Sequence, residues 1–150
     1  MIEMRFGRQV TGDLGAAAAR EWLVGDGLGG FAMGTVAGVR TRRYHGLLVV
    51  AGAGAPAPGG RRLALAAVDP VVVIGDRRFE LAVHEWADGT VAPDGYVHLE
   101  SFSLRDGLPV WRWSLGDVVI ERELALVRGR PAVGVVHRLV RSGAAGPVRL

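Results

Sequence analysis

EWLVGDGLGGFAMGTVAGVRTRRYHGLLVV, residues Glu21 to Val50, decides how the chain is read. Glycines stand at Gly25, Gly27, Gly29, Gly30, Gly34, Gly38 and Gly46, among paired arginines, a tyrosine and a histidine. Glycine adopts positive φ and lets another backbone or a ligand approach closely. Such a run is a shaped loop-and-strand system or a phosphate cradle. Gly25-Asp26-Gly27-Leu28-Gly29-Gly30 satisfies G-x-G-x-x-G, with Glu21 to Val24 as the preceding strand. A dinucleotide site also needs a helix opening at the third glycine, so that its amides face the pyrophosphate. Phe31 to Val39 is a poor helix, because Gly34 and Gly38 each cost about 1 kcal/mol relative to alanine. The acidic residue expected about 20 positions on for the ribose is missing, since Asp69 is the next acid after Asp26. Arg42 or Arg43 remains available to a 2′-phosphate, so a nucleotide-dependent oxidoreductase is the remote alternative to strands joined by a glycine loop.

The pattern outside this stretch is one of strands. Arg43 to Ala51 alternates Arg43, His45, Leu47 and Val49 against Tyr44, Gly46, Leu48 and Val50, the period of a strand. Ile2 to Phe6 reads as a short strand. Asp13 to Arg20 reads as the one helix, capped by Thr11 or Asp13. Phe31 to Val39 continues the strand system, and Gly52 to Gly60 is a low-complexity surface connection. Further strands are expected at Leu63 to Val68, Val71 to Ile74, Phe79 to Trp86, Tyr96 to Leu104, Val110 to Leu115, Val118 to Val127 and Ala132 to Val140. Turn signals such as Gly75-Asp76, Pro93-Asp94-Gly95, Asp106-Gly107 and Gly116-Asp117 separate them. Many short strands with regular turns indicate an all-β, antiparallel β-sandwich with one short N-terminal helix.

Composition narrows the function classes. With 49% hydrophobic and 22% charged residues, the chain is globular, and 150 residues suffice for one domain with a sizeable core. All 18 basic residues are arginine, and the net charge is +3. Arg42-Arg43, Arg61-Arg62 and Arg77-Arg78 are not interleaved with a nucleic-acid-binding motif, so no nucleic-acid partner is expected. Charges interrupt every apolar run, and the first residues lack a signal-peptide core. Cysteine is absent, which fits a reducing compartment. A cytoplasmic protein with no membrane partner is expected.

The central stretch also carries a resemblance. Glu21-Trp22-Leu23, Gly27-Leu28-Gly29-Gly30, Gly34-Thr35 and Thr41-Arg42-Arg43-Tyr44-His45-Gly46-Leu47-Leu48 resemble the start of the N-terminal domain of bacterial and archaeal glycogen-debranching enzymes of the amylo-α-1,6-glucosidase type. That family usually has Asn at the position of Asp26 and Ser at that of Met33. Weaker echoes are Pro93 and Gly95 before Leu99 and Phe102, Pro109 before Trp111, and Pro147 to Leu150. The resemblance implies a large, supersandwich-like β-sandwich. It implies a parent glycoside hydrolase that removes α-1,6-linked glucose at branch points of glycogen or limit dextrin. Its catalytic carboxylates are implied to lie in a C-terminal barrel of paired helices that this chain does not contain. The partners implied are that barrel and a branched α-glucan; no cofactor is implied. Trp22, Arg42, Arg43, Tyr44 and His45 are the candidates for contact with substrate or with the catalytic domain.

Within the chain itself no catalytic set emerges. Arg43 and His45 share one face if Arg43 to Ala51 is a strand, but His45 lacks a base or nucleophile at a telling spacing. His84, His98 and His137 fall on separate strands without metal-ligand spacing, so no metal is expected. Glu121 and Glu123 lie at i and i+2, hence on one strand face. Two carboxylates on neighbouring positions do not flank a glycosidic bond, and they are expected on the solvent side. Arg122 between them lies on the apolar side, where it must snorkel or find an acid. Trp111 and Trp113 share a face: exposed, they are a stacking platform for sugars; buried, they are core. The usual burial of tryptophan favours core. Pro147 to Leu150 resembles the start of another strand, so an incomplete sandwich, truncated at its C-terminal end, is expected.

Overall fold

The computed structural model describes residues 4–52, 60–143 and 146–150. Ile2 and Glu3 of the expected first strand and most of the expected Gly52 to Gly60 loop lie outside them. The chain is mainly antiparallel sheet, in a sandwich-like arrangement.

β1 (Met4–Phe6) leads into two single-turn helices, α1 (Arg8–Thr11) and α2 (Leu14–Ala18). The expected helix is therefore shorter and has a companion before it, with Gly12 between them. Asp13 is the cap of α2: its Oδ1 accepts from the Ala16 amide at 2.7 Å. Thr11 does not cap. Its hydroxyl is fully buried and donates to the Leu99 carbonyl at 2.6 Å, fastening α1 to the largest sheet.

The central stretch builds a four-stranded sheet in chain order: β2 (Glu21–Gly25), β3 (Phe31–Thr35), β4 (Gly46–Ala51) and β5 (Arg61–Leu65). β6 (Val71–Ile74) and β7 (Arg77–Glu80) form a hairpin, with β14 (Val148–Arg149) on the free side of β6. β8 (Val83–Glu85) and β9 (Val91–Asp94) form a second hairpin. A single-turn 3-10 helix, Gly95–His98, precedes β10 (Leu99–Arg105), β11 (Leu108–Leu115), β12 (Val118–Leu126) and β13 (Val133–Ser142). These four strands and β1 make a five-stranded sheet in the order β1-β10-β11-β12-β13.

Alternation decides which side chains enter the core. On the five-stranded sheet, Phe102, Trp111, Trp113, Ile120 and Leu124 are buried together with Trp22, Ala32 and Leu47 of the four-stranded sheet. Trp111 and Trp113 are 1% and 3% exposed, so these two rings are core and not a sugar platform. Trp111 stands edge-on to Trp22 at 5.2 Å between ring centres and to Phe102 at 5.3 Å.

Several expected strands are shorter or broken. Phe31 to Val39 stops at Thr35, where the Thr35 hydroxyl and carbonyl take up Val39 and Gly38 in a tight turn. The strand expected from Arg43 begins only at Gly46. Phe79 to Trp86 divides after Glu80, because Leu81 turns inward and Gly95 packs on its backbone. The Gly95 amide donates to the Ala82 carbonyl at 2.9 Å. Tyr96 to His98 is thereby drawn into the 3-10 turn and is not strand. Pro93, expected in a turn, lies within β9; β9 pairs only with β8, and such an edge position suits a residue without an N–H.

A Cβ on Gly95 would lie 2.3 Å from the Leu81 carbonyl carbon. Gly95→Ala should therefore cost about 1–3 kcal/mol, the range for overpacking. Gly134→Ala, whose new Cβ would meet nothing closer than 3.9 Å, should cost less. Urea unfolding of both variants checks this; equal losses would contradict the role given to the Gly95 contact.

Candidate functional site

The sequence between Thr35 and Gly46 has no regular structure, yet every end of it is fastened. The Trp22 indole donates to the Thr35 carbonyl at 3.2 Å, and the Trp111 indole to the Val36 carbonyl at 3.1 Å. The Val36 amide donates to the Arg20 carbonyl at 2.8 Å. Arg40 Nε donates to the His45 carbonyl at 2.7 Å. Gly34 faces Trp22 across the β2–β3 pair, and a Cβ there would come within 3.2 Å of the indole. Glycine at that position seats the ring.

His45 is fully buried. Its Nδ1 accepts from the Thr41 amide at 3.0 Å, so the ring proton sits on Nε2 and is donated to Glu21 Oε1, also at 3.0 Å. Arg42 Nε reaches the same oxygen at 2.5 Å. The Arg42 guanidinium beside Glu21 holds its carboxyl below the usual value of 4.5, against desolvation and with help from His45. This arrangement braces the loop. Its one carboxylate, on exposed Glu21, is engaged by both Arg42 and His45.

Beside the brace lies a cleft with about 50 Å³ open to water. Trp22, Met33, Arg40, His45, Asp69 and Arg122 are among the residues lining it. His84 lines it too and pairs through Nε2 with Asp69 Oδ2 at 2.9 Å. Arg122 reaches the cleft from β12, with its guanidinium carbon 4.3 Å from the Trp111 ring centre and 5.3 Å from that of Trp113. It does not snorkel to solvent, and no acid among the described residues pairs with it: it stacks on tryptophan. Burial pushes its guanidinium down to about 10, against the pull of Asp69.

The candidates read from the sequence are thus divided. Trp22 and His45 meet at the cleft. Arg42 lies beyond it on Glu21. Arg43 stacks on the Tyr44 ring at 5.3 Å, and Tyr44 stands edge-on to Phe31 at 6.5 Å. Arg43 and His45 do not share a strand face; both precede β4, with Arg43 exposed and His45 buried. Glu21, Met33, Asp69 and His84 were not expected at one place. Glu21 on β2 meets His45, just before β4, through the β2–β3–β4 pairing, while His84 on β8 meets Asp69 from outside that sheet; neither pair carries a spacing signal in the sequence.

The glycine loop is self-contained as well. Asp26, 1% exposed, accepts from the Leu28 and Gly30 amides at 2.7 and 3.0 Å. A strand, not a helix, follows Gly30. The amide oxygen of an asparagine can accept the same two bonds, which explains why Asp can stand where the family usually has Asn.

Glu121 and Glu123 share a face, but Glu121 is not solvated. It is 7% exposed, with Arg112 Nη1 at 2.9 Å and Arg105 Nη1 at 3.4 Å. Desolvation raises its pKa, but hydrogen bonds from Arg112 and Arg105 outweigh this and hold it below 4.5. Glu123 pairs with Arg138 at 3.1 Å. Among the described residues, no group of three or more His, Asp or Glu side chains is placed to hold a metal ion.

Sandwich-like sheets around the braced loop between Thr35 and Gly46 define a β-rich domain without an assembled catalytic set among the described residues. A family model described as the N-terminal part of glycogen debranching enzyme matches residues 20–150, and the chain belongs to that family. No curated protein and no solved structure matches the chain. No helix among the described residues is long and apolar enough to cross a membrane.

Glu21 and Glu121 both have folded-state pKa values below 4.5. Their stabilisation is present above the unfolded value and is lost as pH falls through the folded one. Thermal melts between about pH 7 and pH 3 should show declining stability on the acid side. Glu121→Gln should be less stable near neutrality and lose less on acidification. A variant whose acid slope parallels the wild type would contradict the assignment.

Proposed function

We propose that this chain is the non-catalytic N-terminal β-sandwich of a cytoplasmic glycogen-debranching enzyme. The complete form hydrolyses α-1,6-glucosidic branch linkages in glycogen or limit dextrin. The sandwich supports a catalytic barrel of helices in the same protein and helps shape the path of the branched α-glucan. Membership of the debranching family is the main support. The observation that carries the non-catalytic part is the state of the carboxylates. Among the residues lining the cleft, Asp69 alone is acidic, and it pairs with His84. Glycoside hydrolysis ordinarily uses two carboxyl groups on either side of the bond.

The five-stranded sheet supports the further proposal that more strands of the same protein complete the sandwich. β13 is an edge strand ten residues long, and Val136, Leu139 and Val140 on it are 44–51% exposed. Long edges with exposed apolar residues invite further pairing. Glycan binding by the domain itself has one observation behind it: Trp86 is 60% exposed. The other tryptophans are buried in the core.

Glucose release from limit dextrin tests the assignment. The complete enzyme should release glucose and residues 1–150 alone should not. In the complete enzyme His45→Gln should retain much of kcat, because His45 acts through Glu21 and Thr41 on loop position. A fall of several orders of magnitude with an unchanged melting temperature would make His45 a catalytic residue and refute the proposal.

A further inference from the structure

Among the described residues, Arg122 is the buried arginine. It is 8% exposed, and its Nε has no hydrogen-bond partner. Among the described residues no acid forms a salt bridge with it; Asp69, which acts on it electrostatically, is engaged by His84. Across the β12–β13 pair its register partner is His137, whose Nε2 is likewise buried and without a partner. Register partners project to the same face of a sheet, within side-chain reach of each other. Two neighbouring buried nitrogens therefore lack partners. The faces of Trp111 and Trp113 offset part of the charge, but an aromatic face accepts no in-plane N–H bond. A buried guanidinium is ordinarily matched by a carboxylate or phosphate that accepts from its planar fork.

The cleft that Arg122 lines has the size for such an ion. Its open space of about 50 Å³ compares with about 10–15 Å³ for one water on the same measure. It holds a few waters or one compact ion. Arg40 and His84 line the same space, and Asp69 is turned to His84 at its wall.

We propose that this cleft binds a small oxyanion, free phosphate or a simple carboxylate, whose oxygens accept from the Arg122 guanidinium beside Trp111 and Trp113. The proposal does not require the debranching assignment. Calorimetric titration of the full chain with inorganic phosphate, and separately with acetate, at constant ionic strength tests it. At least one ion should bind saturably at one per chain, and the tighter of the two identifies which chemistry the site takes. Arg122→Met should weaken that binding at least tenfold, and Arg43→Met, at an exposed arginine on the Tyr44 ring, should leave it unchanged. Absence of saturable binding by both ions, or equal binding by Arg122→Met, overturns the proposal. If Arg122→Met does not fold, the Arg122 Nε–H resonance of the wild type decides. A saturable shift with either ion supports the site, and a resonance indifferent to both overturns it.

Discussion

Trp111 joins the two larger sheets of this domain. Its ring meets Trp22 of the four-stranded sheet and Phe102 of its own sheet edge-on, and its indole N–H holds the Val36 carbonyl. Burying a tryptophan removes roughly 150–250 Å² from water. The edge-to-face contacts add about 0.5–1.5 kcal/mol each beyond that area. The same ring also receives the Arg122 guanidinium on its face. One side chain thus sets the spacing of the sheets, the start of the irregular loop and the floor of the cleft. Gly34 depends on this arrangement, because it makes room for Trp22.

The charges are arranged to satisfy the scaffold. Glu21 binds Arg42 and His45, Glu121 lies between Arg105 and Arg112, and Glu123 pairs with Arg138. Asp26 is consumed by two backbone amides of its own loop. Exposed pairs such as Arg78 with Glu80 add little, since solvent screens them. Partly buried Glu121 matters more, because losing either arginine leaves a poorly solvated carboxylate. A family motif rich in Arg, Tyr and His here serves loop geometry first. Arg122 departs from this rule, and its want of an acceptor gives the cleft a chemistry of its own.

Much of the fold is legible in the sequence, and the reasons are local. The hairpins β10–β11 and β11–β12 turn at Asp106-Gly107 and Gly116-Asp117, signals that need no tertiary information. Alternation along Val110 to Leu115 separates Trp111 and Trp113 from Arg112 and Ser114. The break at Leu81 is not legible, because it depends on Gly95 approaching a distant backbone. The extent of β4 is misjudged for a related reason. Arg43, Tyr44 and His45 continue the alternation, but the hydrogen bonds of His45 to Thr41 and Glu21 hold them in a turn. Of the cleft, Trp22 and His45 stand out in the sequence through the family motif. Arg122 stands out only as an arginine on an apolar face. Its tryptophan partners are found through register, Trp111 opposite Arg122 and Trp113 opposite Ile120.

Hydrogen exchange at the indole nitrogens tests most directly whether Trp111 holds the sheets together. The Trp111 and Trp22 Nε1–H groups should exchange only through global unfolding, with the same free energy as the central amides of β3 and β11. Trp86, bonded to the Ala92 carbonyl but 60% exposed, should exchange far faster. Exchange of the Trp111 indole by a local opening, while β3 and β11 stay protected, would show that the sheets hold together without it.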